Sequence, residues 1–175
     1  MKTLYVSDLD GTLLRSNEKI SQYTSETINE LVERGMIFSY ATARSYVTSK
    51  KVTVDLSAKI PLIVYNGAMI IDNVTGTILK KNFFDVSLND VLNDLCRNQI
   101  FPIVYSLIKE KEKFSYIPHK CTYGMQVFLD SRKGDVRTNP VQEQEELLKG
   151  EIFYITCIDT ECKLKPLYEK YKDQY

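Results

Sequence analysis

Two carboxylates, Asp8 and Asp10, stand two residues apart at the end of the run Thr3-Leu4-Tyr5-Val6-Ser7, and Gly11 and Thr12 follow at once. The run is short, mostly apolar and β-favouring, which predicts a strand over residues 3–7. Gly11 lets the chain leave that strand sharply. In an open α/β sheet, ligands bind at the carboxyl ends of the strands, so paired acids here fall where a site is expected. Two chemistries suit them. Their hard oxygens can hold Mg²⁺, and one carboxylate can attack phosphorus while its neighbour moves a proton. An aspartate at a strand end can also be a plain turn former or helix cap.

The elements that must hold this pair follow in order. Residues 21–34 carry Ile28, Leu31 and Val32 at helical spacing, with Ser21 or Thr24 to cap the start and Gly35 to close the end. Met36-Ile37-Phe38-Ser39-Tyr40 reads as a second strand, and a strand–helix–strand crossover sets it parallel to the first. It runs into Ala41-Thr42-Ala43-Arg44, after which Ser45 can cap a second helix reaching Val54. Thr42 can itself be a cap, and Arg44 a structural ion-pair partner. A third strand is expected at residues 62–65, within Pro61-Leu62-Ile63-Val64-Tyr65-Asn66-Gly67-Ala68. A hairpin then joins residues 68–72 to 77–81 around Asn73–Gly76.

The three segments, in this order and spacing, resemble the successive motifs of the haloacid dehalogenase (HAD) superfamily, most of whose members are Mg²⁺-dependent phosphatases. The third segment looks like that of the Cof-type branch, which inserts a large α/β cap at this point. The resemblance implies an α/β fold. Residues 1–82 would be the N-terminal half of a Rossmann-like HAD core with a parallel sheet, and residues 83–175 a Cof-type cap domain. It implies that Asp8 is the nucleophile and Asp10 the general acid and base. Mg²⁺ would be held by the Asp8 side chain and the Asp10 carbonyl. Gly11 and Thr12 would shape the loop under the phosphate, Thr42 and nearby N–H groups would hold phosphoryl oxygens, and Arg44, Asn66 and Gly67 would line the substrate pocket. Ala43 stands where the family commonly has glycine. The implied substrate is a small phosphorylated metabolite such as a sugar phosphate. A phosphotransferase or mutase on the same fold is an alternative reading, as is a non-catalytic binding or assembly module.

Family members return from the cap to the core with a lysine and an acidic Gly-Asp motif. Lys133-Gly134-Asp135 matches these poorly and reads as a solvated cap loop. With Tyr175 reached before either motif, the sequence reads as the N-terminal part of a longer enzyme with weak Mg²⁺ affinity on its own. Two alternatives are a second polypeptide supplying the missing half and copies that self-associate. In each case the first strand is left with an apolar edge that invites pairing.

Downstream, Ser87 and Asp90 predict a capping box for a helix with the apolar stripe Leu88, Val91, Leu92, Leu95 and Cys96. Strands are expected at residues 100–108 and 114–117 about a charged turn at 109–113, with further strands at 126–129 and 152–158. Helices are expected from Asn139-Pro140 and over Leu164, Tyr168 and Tyr171. Lys+Arg and Asp+Glu balance at 23 each, with no basic cluster, which argues against a nucleic-acid partner. No apolar run approaches a bilayer's thickness, so no membrane role is expected. Four cysteines without C-x-x-C spacing and a single histidine, His119, form no zinc pattern. A reducing, cytoplasmic location is the simplest reading.

Overall fold

The computed structural model describes residues 3–57, 61–85 and 87–174, and the chain divides into two compact units between Asn82 and Phe83. The first unit runs β1 (Leu4–Asp8), α1 (Gln22–Glu33), β2 (Ile37–Ala41), α2 (Tyr46–Val52), β3 (Leu62–Val64), β4 (Met69–Ile71) and β5 (Ile78–Lys81). Its sheet has the order β1-β2-β3-β4-β5. The first three strands are parallel, and β4 and β5 add on as an antiparallel hairpin. Leu9, Tyr40, Leu62, Val64 and Met69 form its buried centre.

The ends of α1 show why the crossover is short. Ser21, rather than Thr24, is the cap: its Oγ accepts the Thr24 N–H at 3.2 Å. At the other end Gly35 N–H donates to the Val32 carbonyl and Met36 N–H to the Leu31 carbonyl, at 3.0 and 2.9 Å. That crossed pair needs a left-handed residue, and Gly35 supplies it at φ 99°. In α2, Ser45 Oγ accepts the Thr48 N–H at 3.1 Å, so this cap holds a helix despite its β-branched residues. The Tyr40 phenol, buried beneath α2, meets Thr53 Oγ1 at 3.1 Å.

The second unit runs α3 (Leu88–Arg97), β6 (Ile103–Ile108), β7 (Lys111–Tyr116), α4 (Tyr123–Asp130), β8 (Thr138–Pro140), β9 (Glu151–Thr156) and α5 (Glu161–Tyr171), with sheet order β8-β7-β6-β9. The stripe of α3 packs with Val104, Ile117, Leu147 and Ile152 in one core, and Leu164 and Leu167 of α5 lie against it. Lys170 Nζ and Tyr171 Oη both donate to Asp94 of α3, at 2.9 and 2.8 Å, which ties α5 down.

Four sequence expectations are corrected in this unit. Residues 126–129 are helical, because Thr122 Oγ1 caps Met125 N–H at 3.2 Å and Met125, Phe128 and Leu129 recur at helical spacing on the less exposed side of α4. Asn139-Pro140 opens no helix; it ends the edge strand β8, a position where proline's missing N–H costs no ladder bond. The capping box lies later, where Glu143 and Glu146 start a short 3₁₀ turn at Gln144–Leu148. The charged turn shrinks to Lys109 and Glu110, both left-handed at φ 50° and 62°, as a tight two-residue hairpin demands. Ser87 makes no side-chain cap; its own N–H donates to Asp85 Oδ1 at 2.9 Å.

Ser106 of β6 is fully buried, and its Oγ finds no hydrogen-bond partner among the described residues. A desolvated hydroxyl without a partner is a cost, so Ser106→Ala is expected to stabilise the second unit by about 1 kcal/mol. Urea unfolding monitored by circular dichroism checks it; a loss of stability on substitution contradicts it.

Candidate active site

Parallel pairing brings three chain segments to one end of the first sheet. Asp8 is opposite Ala41, and Ala41 opposite Ile63, so β1, β2 and β3 finish together and the residues after them form adjacent loops. After β1, Leu9 is fully buried while Asp8 and Asp10 on either side of it are exposed. Anchoring Leu9 in the core is what turns both carboxylates outward. Gly11 takes φ 79°, and the Leu14 N–H closes the loop on the Leu9 carbonyl at 2.8 Å. Thr12 lies exposed in the same loop.

The two acids sit in different surroundings. The Asp8 carboxylate makes no hydrogen bond or ion pair with the described residues; only its carbonyl is engaged, by Ser7 Oγ at 2.9 Å. The Asp10 carboxylate is gripped by the Arg44 guanidinium: Nε donates to Oδ2 at 2.9 Å and Nη2 to Oδ1 at 2.7 Å. Arg44 Nη2 also reaches Glu18 Oε2 at 3.4 Å. The hydrogen bonds from Arg44 hold the Asp10 carboxyl below the usual carboxylate range, and the same contacts raise Arg44. Arg44 is thus an ion-pair partner of Asp10. Glu18 was not singled out from the sequence; it lies 26 residues from Arg44 along the chain, and no local pattern marks it.

Thr42 is not the cap of α2, which is Ser45. Its N–H donates to the Ile63 carbonyl and its carbonyl accepts the Asn66 N–H, both at 3.0 Å, which stitches the β2 and β3 loops together. Thr42 Oγ1 accepts the Arg44 N–H at 3.1 Å, and its own hydroxyl proton has no acceptor among the described residues. Tyr65, Asn66 and Gly67 are left-handed in succession, at φ 52°, 54° and 94°. Tyr65 N–H donates to the Arg44 carbonyl at 3.1 Å, completing the tie between the two loops. Asp8, Asp10, Gly11, Thr12, Thr42, Arg44, Asn66 and Gly67 therefore share one end of the sheet. His119 lies in the second unit, and Asp135 there is committed to Arg137.

The donor set suits a hard divalent cation. The Asp8 carboxylate is exposed and unengaged by the described residues, and the Asp10 carbonyl is on the same turn; such ions take oxygen ligands and keep several waters. The Asp10 carboxylate is engaged by Arg44. Among the described residues no group of three or more acidic, histidine or cysteine side chains gathers to hold a metal.

A protein of Buchnera aphidicola subsp. Schizaphis graminum is 33% identical over 97 residues, 55% of this chain and 34% of its own length. HMP-PP phosphatase of Serratia proteamaculans is 33% identical over 73 residues, 42% of this chain and 27% of its own length. This chain therefore spans about a third of the length of such relatives. Among solved structures, a HAD subclass IIB sugar phosphatase superposes with a TM-score of 0.69 at 19% identity, over 97% of this chain and 63% of its own, which shows the shared fold. The haloacid dehalogenase-like hydrolase family profile matches residues 5–175. With nearly its whole length matched and its acids at the strand end, the chain belongs to the haloacid dehalogenase-like hydrolases.

Proposed function

We propose that this chain carries the nucleophile half of a Mg²⁺-dependent phosphate-monoester hydrolase that works through an aspartyl phosphate on Asp8. One observation carries the reading: an unengaged, outward-facing carboxylate stands two residues from a second carboxylate held by an arginine. In the first step an Asp8 oxygen bonds to phosphorus, the ester P–O bond breaks, and Asp10 gives its proton to the leaving oxygen. In the second, Asp10 takes a proton from water, which attacks phosphorus and frees Asp8 and inorganic phosphate. Bound Mg²⁺, held by the Asp8 carboxylate and Asp10 carbonyl, supplies the charge neutralisation that lets two anions approach. The Thr42 hydroxyl is the donor for a phosphoryl oxygen.

Arg44 sets a condition on this scheme. Clamped as it is, Asp10 is a carboxylate at neutral pH, the form needed for the second step. Acting as an acid in the first step requires Asp10 to take up a proton and the guanidinium to loosen its grip. A small sugar phosphate is the proposed substrate class, supported by the sugar phosphatase among the structures of like fold. The second unit is proposed as the cap that reads the leaving group. A cytoplasmic location, in which the four free thiols are stable, belongs to the same reading.

The test is product analysis with a panel of sugar phosphates, with and without a Mg²⁺ chelator. Release of inorganic phosphate that stops on chelation is the expected result. An isomerised sugar phosphate without net release would make the chain a mutase instead. Binding without turnover would leave only a binding module.

A further inference from the structure

The clamp on Asp10 has a second acid beside it. Arg44 is the fixed member of the group: its N–H donates to Thr42 Oγ1 and its carbonyl accepts the Tyr65 N–H, both at 3.1 Å. Its side chain is 22% exposed, against 52% for Asp10 and 72% for Glu18. The guanidinium meets both carboxylates through one nitrogen. Nη2 lies 2.7 Å from Asp10 Oδ1 and 3.4 Å from Glu18 Oε2. A full charge-assisted hydrogen bond is about 2.7–2.9 Å long, so Asp10 holds the bond and Glu18 stands just outside it.

A tight turn brings Glu18 to this place. Arg15 N–H donates to the Lys19 carbonyl and Glu18 N–H to the Arg15 carbonyl, both at 2.9 Å. Lys19 N–H donates to Asn17 Oδ1 at 3.1 Å. Glu18 itself is left-handed at φ 57°, a conformation that glycine or asparagine takes at lower cost. The turn alone does not call for a carboxylate at that position.

We infer that Glu18 is a positioning residue for Asp10 and acts through Arg44, as the second carboxylate to which the guanidinium turns when Asp10 leaves the clamp. The role rests on the acid and base part proposed for Asp10 above. The first step needs Arg44 to loosen its grip, and a partly buried cation released with no anion beside it is costly. A slight turn of the guanidinium brings Nη2 onto Glu18, which lowers that cost. It also keeps the cation within reach of Asp10 for the second step. Glu18 touches no substrate in this scheme; it changes how readily Asp10 is let go.

Crystal structures and arginine side-chain NMR of the 175-residue chain are the primary test. In Asp10→Ala, Arg44 Nη2 is expected at about 2.8 Å from Glu18, with slow rotation about the Arg44 Nε–Cζ bond. Asp10→Ala combined with Glu18→Ala should free the side chain and restore fast rotation. Circular dichroism establishes that each variant is folded; if Asp10→Ala is not, Asp10→Asn takes its place. Single-turnover kinetics read the consequence for the first step. Glu18→Gln should slow an alkyl phosphate about two- to fivefold, the ratio an exposed ion pair is worth, with the half-saturating substrate concentration unchanged. p-Nitrophenyl phosphate, whose leaving group needs little help from an acid, should hardly be affected, and Glu18→Asp should recover part of the loss. Arg44 seated away from Glu18 in Asp10→Ala overturns the inference, as do equal losses on both substrates or a change confined to substrate affinity. No turnover by the unsubstituted chain strikes the phosphatase reading and this role with it; the other adverse outcomes strike this role alone.

Discussion

Asp8→Asn is expected to lower turnover of any phosphate monoester by about three orders of magnitude or more, as removal of a covalent nucleophile does. The carboxamide keeps the shape of the side chain but loses the charge and the nucleophilic oxygen pair. Stability should hardly change, within about 0.5 kcal/mol, because the side chain is exposed and bonded to none of the described residues. Unchanged unfolding with abolished turnover is the signature of a chemical role. Asp10→Asn should behave differently. A positioned acid or base contributes roughly 10²- to 10⁴-fold, and its share depends on how badly the leaving oxygen needs a proton. The loss should be smaller with p-nitrophenyl phosphate, whose leaving group is stable as an anion, than with an alkyl phosphate. Stopped-flow and steady-state rates on both substrates read this out. Full retention of activity in Asp8→Asn would remove its role as nucleophile, and equal losses on both substrates in Asp10→Asn under single-turnover conditions, which read the first step alone, would remove its role as acid.

The parts of the molecule visible in the sequence are those whose cause is local. Ser21, Ser45 and Gly35 mark helix ends because a cap or a left-handed residue is a property of a few adjacent positions. β1, β2 and β3 were placed to within a residue because each is a short apolar run ended by polar or glycine punctuation. The candidate site was legible for the same reason: its residues follow strands, and parallel strands end together. The pairing of Asp10 with Arg44 was not, since the partners are 34 residues apart and either could have pointed to solvent. The second unit was read less well where two periods compete. Val127, Phe128 and Leu129 make a β-like run in isolation, yet the cap Thr122 and the buried Met125 before them decide for a helix. Pro140 fits a helix's first turn and an edge strand equally, and only the sheet around it decides between them.

Arg137→Ala is expected to cost the second unit about 2–4 kcal/mol, the range for breaking an ion cluster that water only partly reaches. Arg137, 8% exposed, immediately precedes β8. Its Nε and Nη2 donate to the Asp135 carboxylate at 3.0 and 2.6 Å, and Nη1 to Glu112 Oε1 at 2.5 Å. The guanidinium also lies 5.9 Å from the centre of the Phe114 ring, which is itself buried. Its backbone is tied in as well, with the Arg137 carbonyl accepting the Phe114 N–H at 3.0 Å. Removing the cation leaves two carboxylates of like charge drawn together without it, which is a larger penalty than the pair's net worth. The physical claim is therefore tested by a cycle rather than one substitution. Arg137→Met alone should be strongly destabilising, while Arg137→Met combined with Asp135→Asn and Glu112→Gln should recover most of the loss, because no uncompensated charge remains. Hydrogen exchange at β7 and β8 localises the effect to this unit, which global melting of a two-unit chain does not. Equal losses in the single and triple variants would show that Arg137 acts through packing on Phe114 and not through its charge.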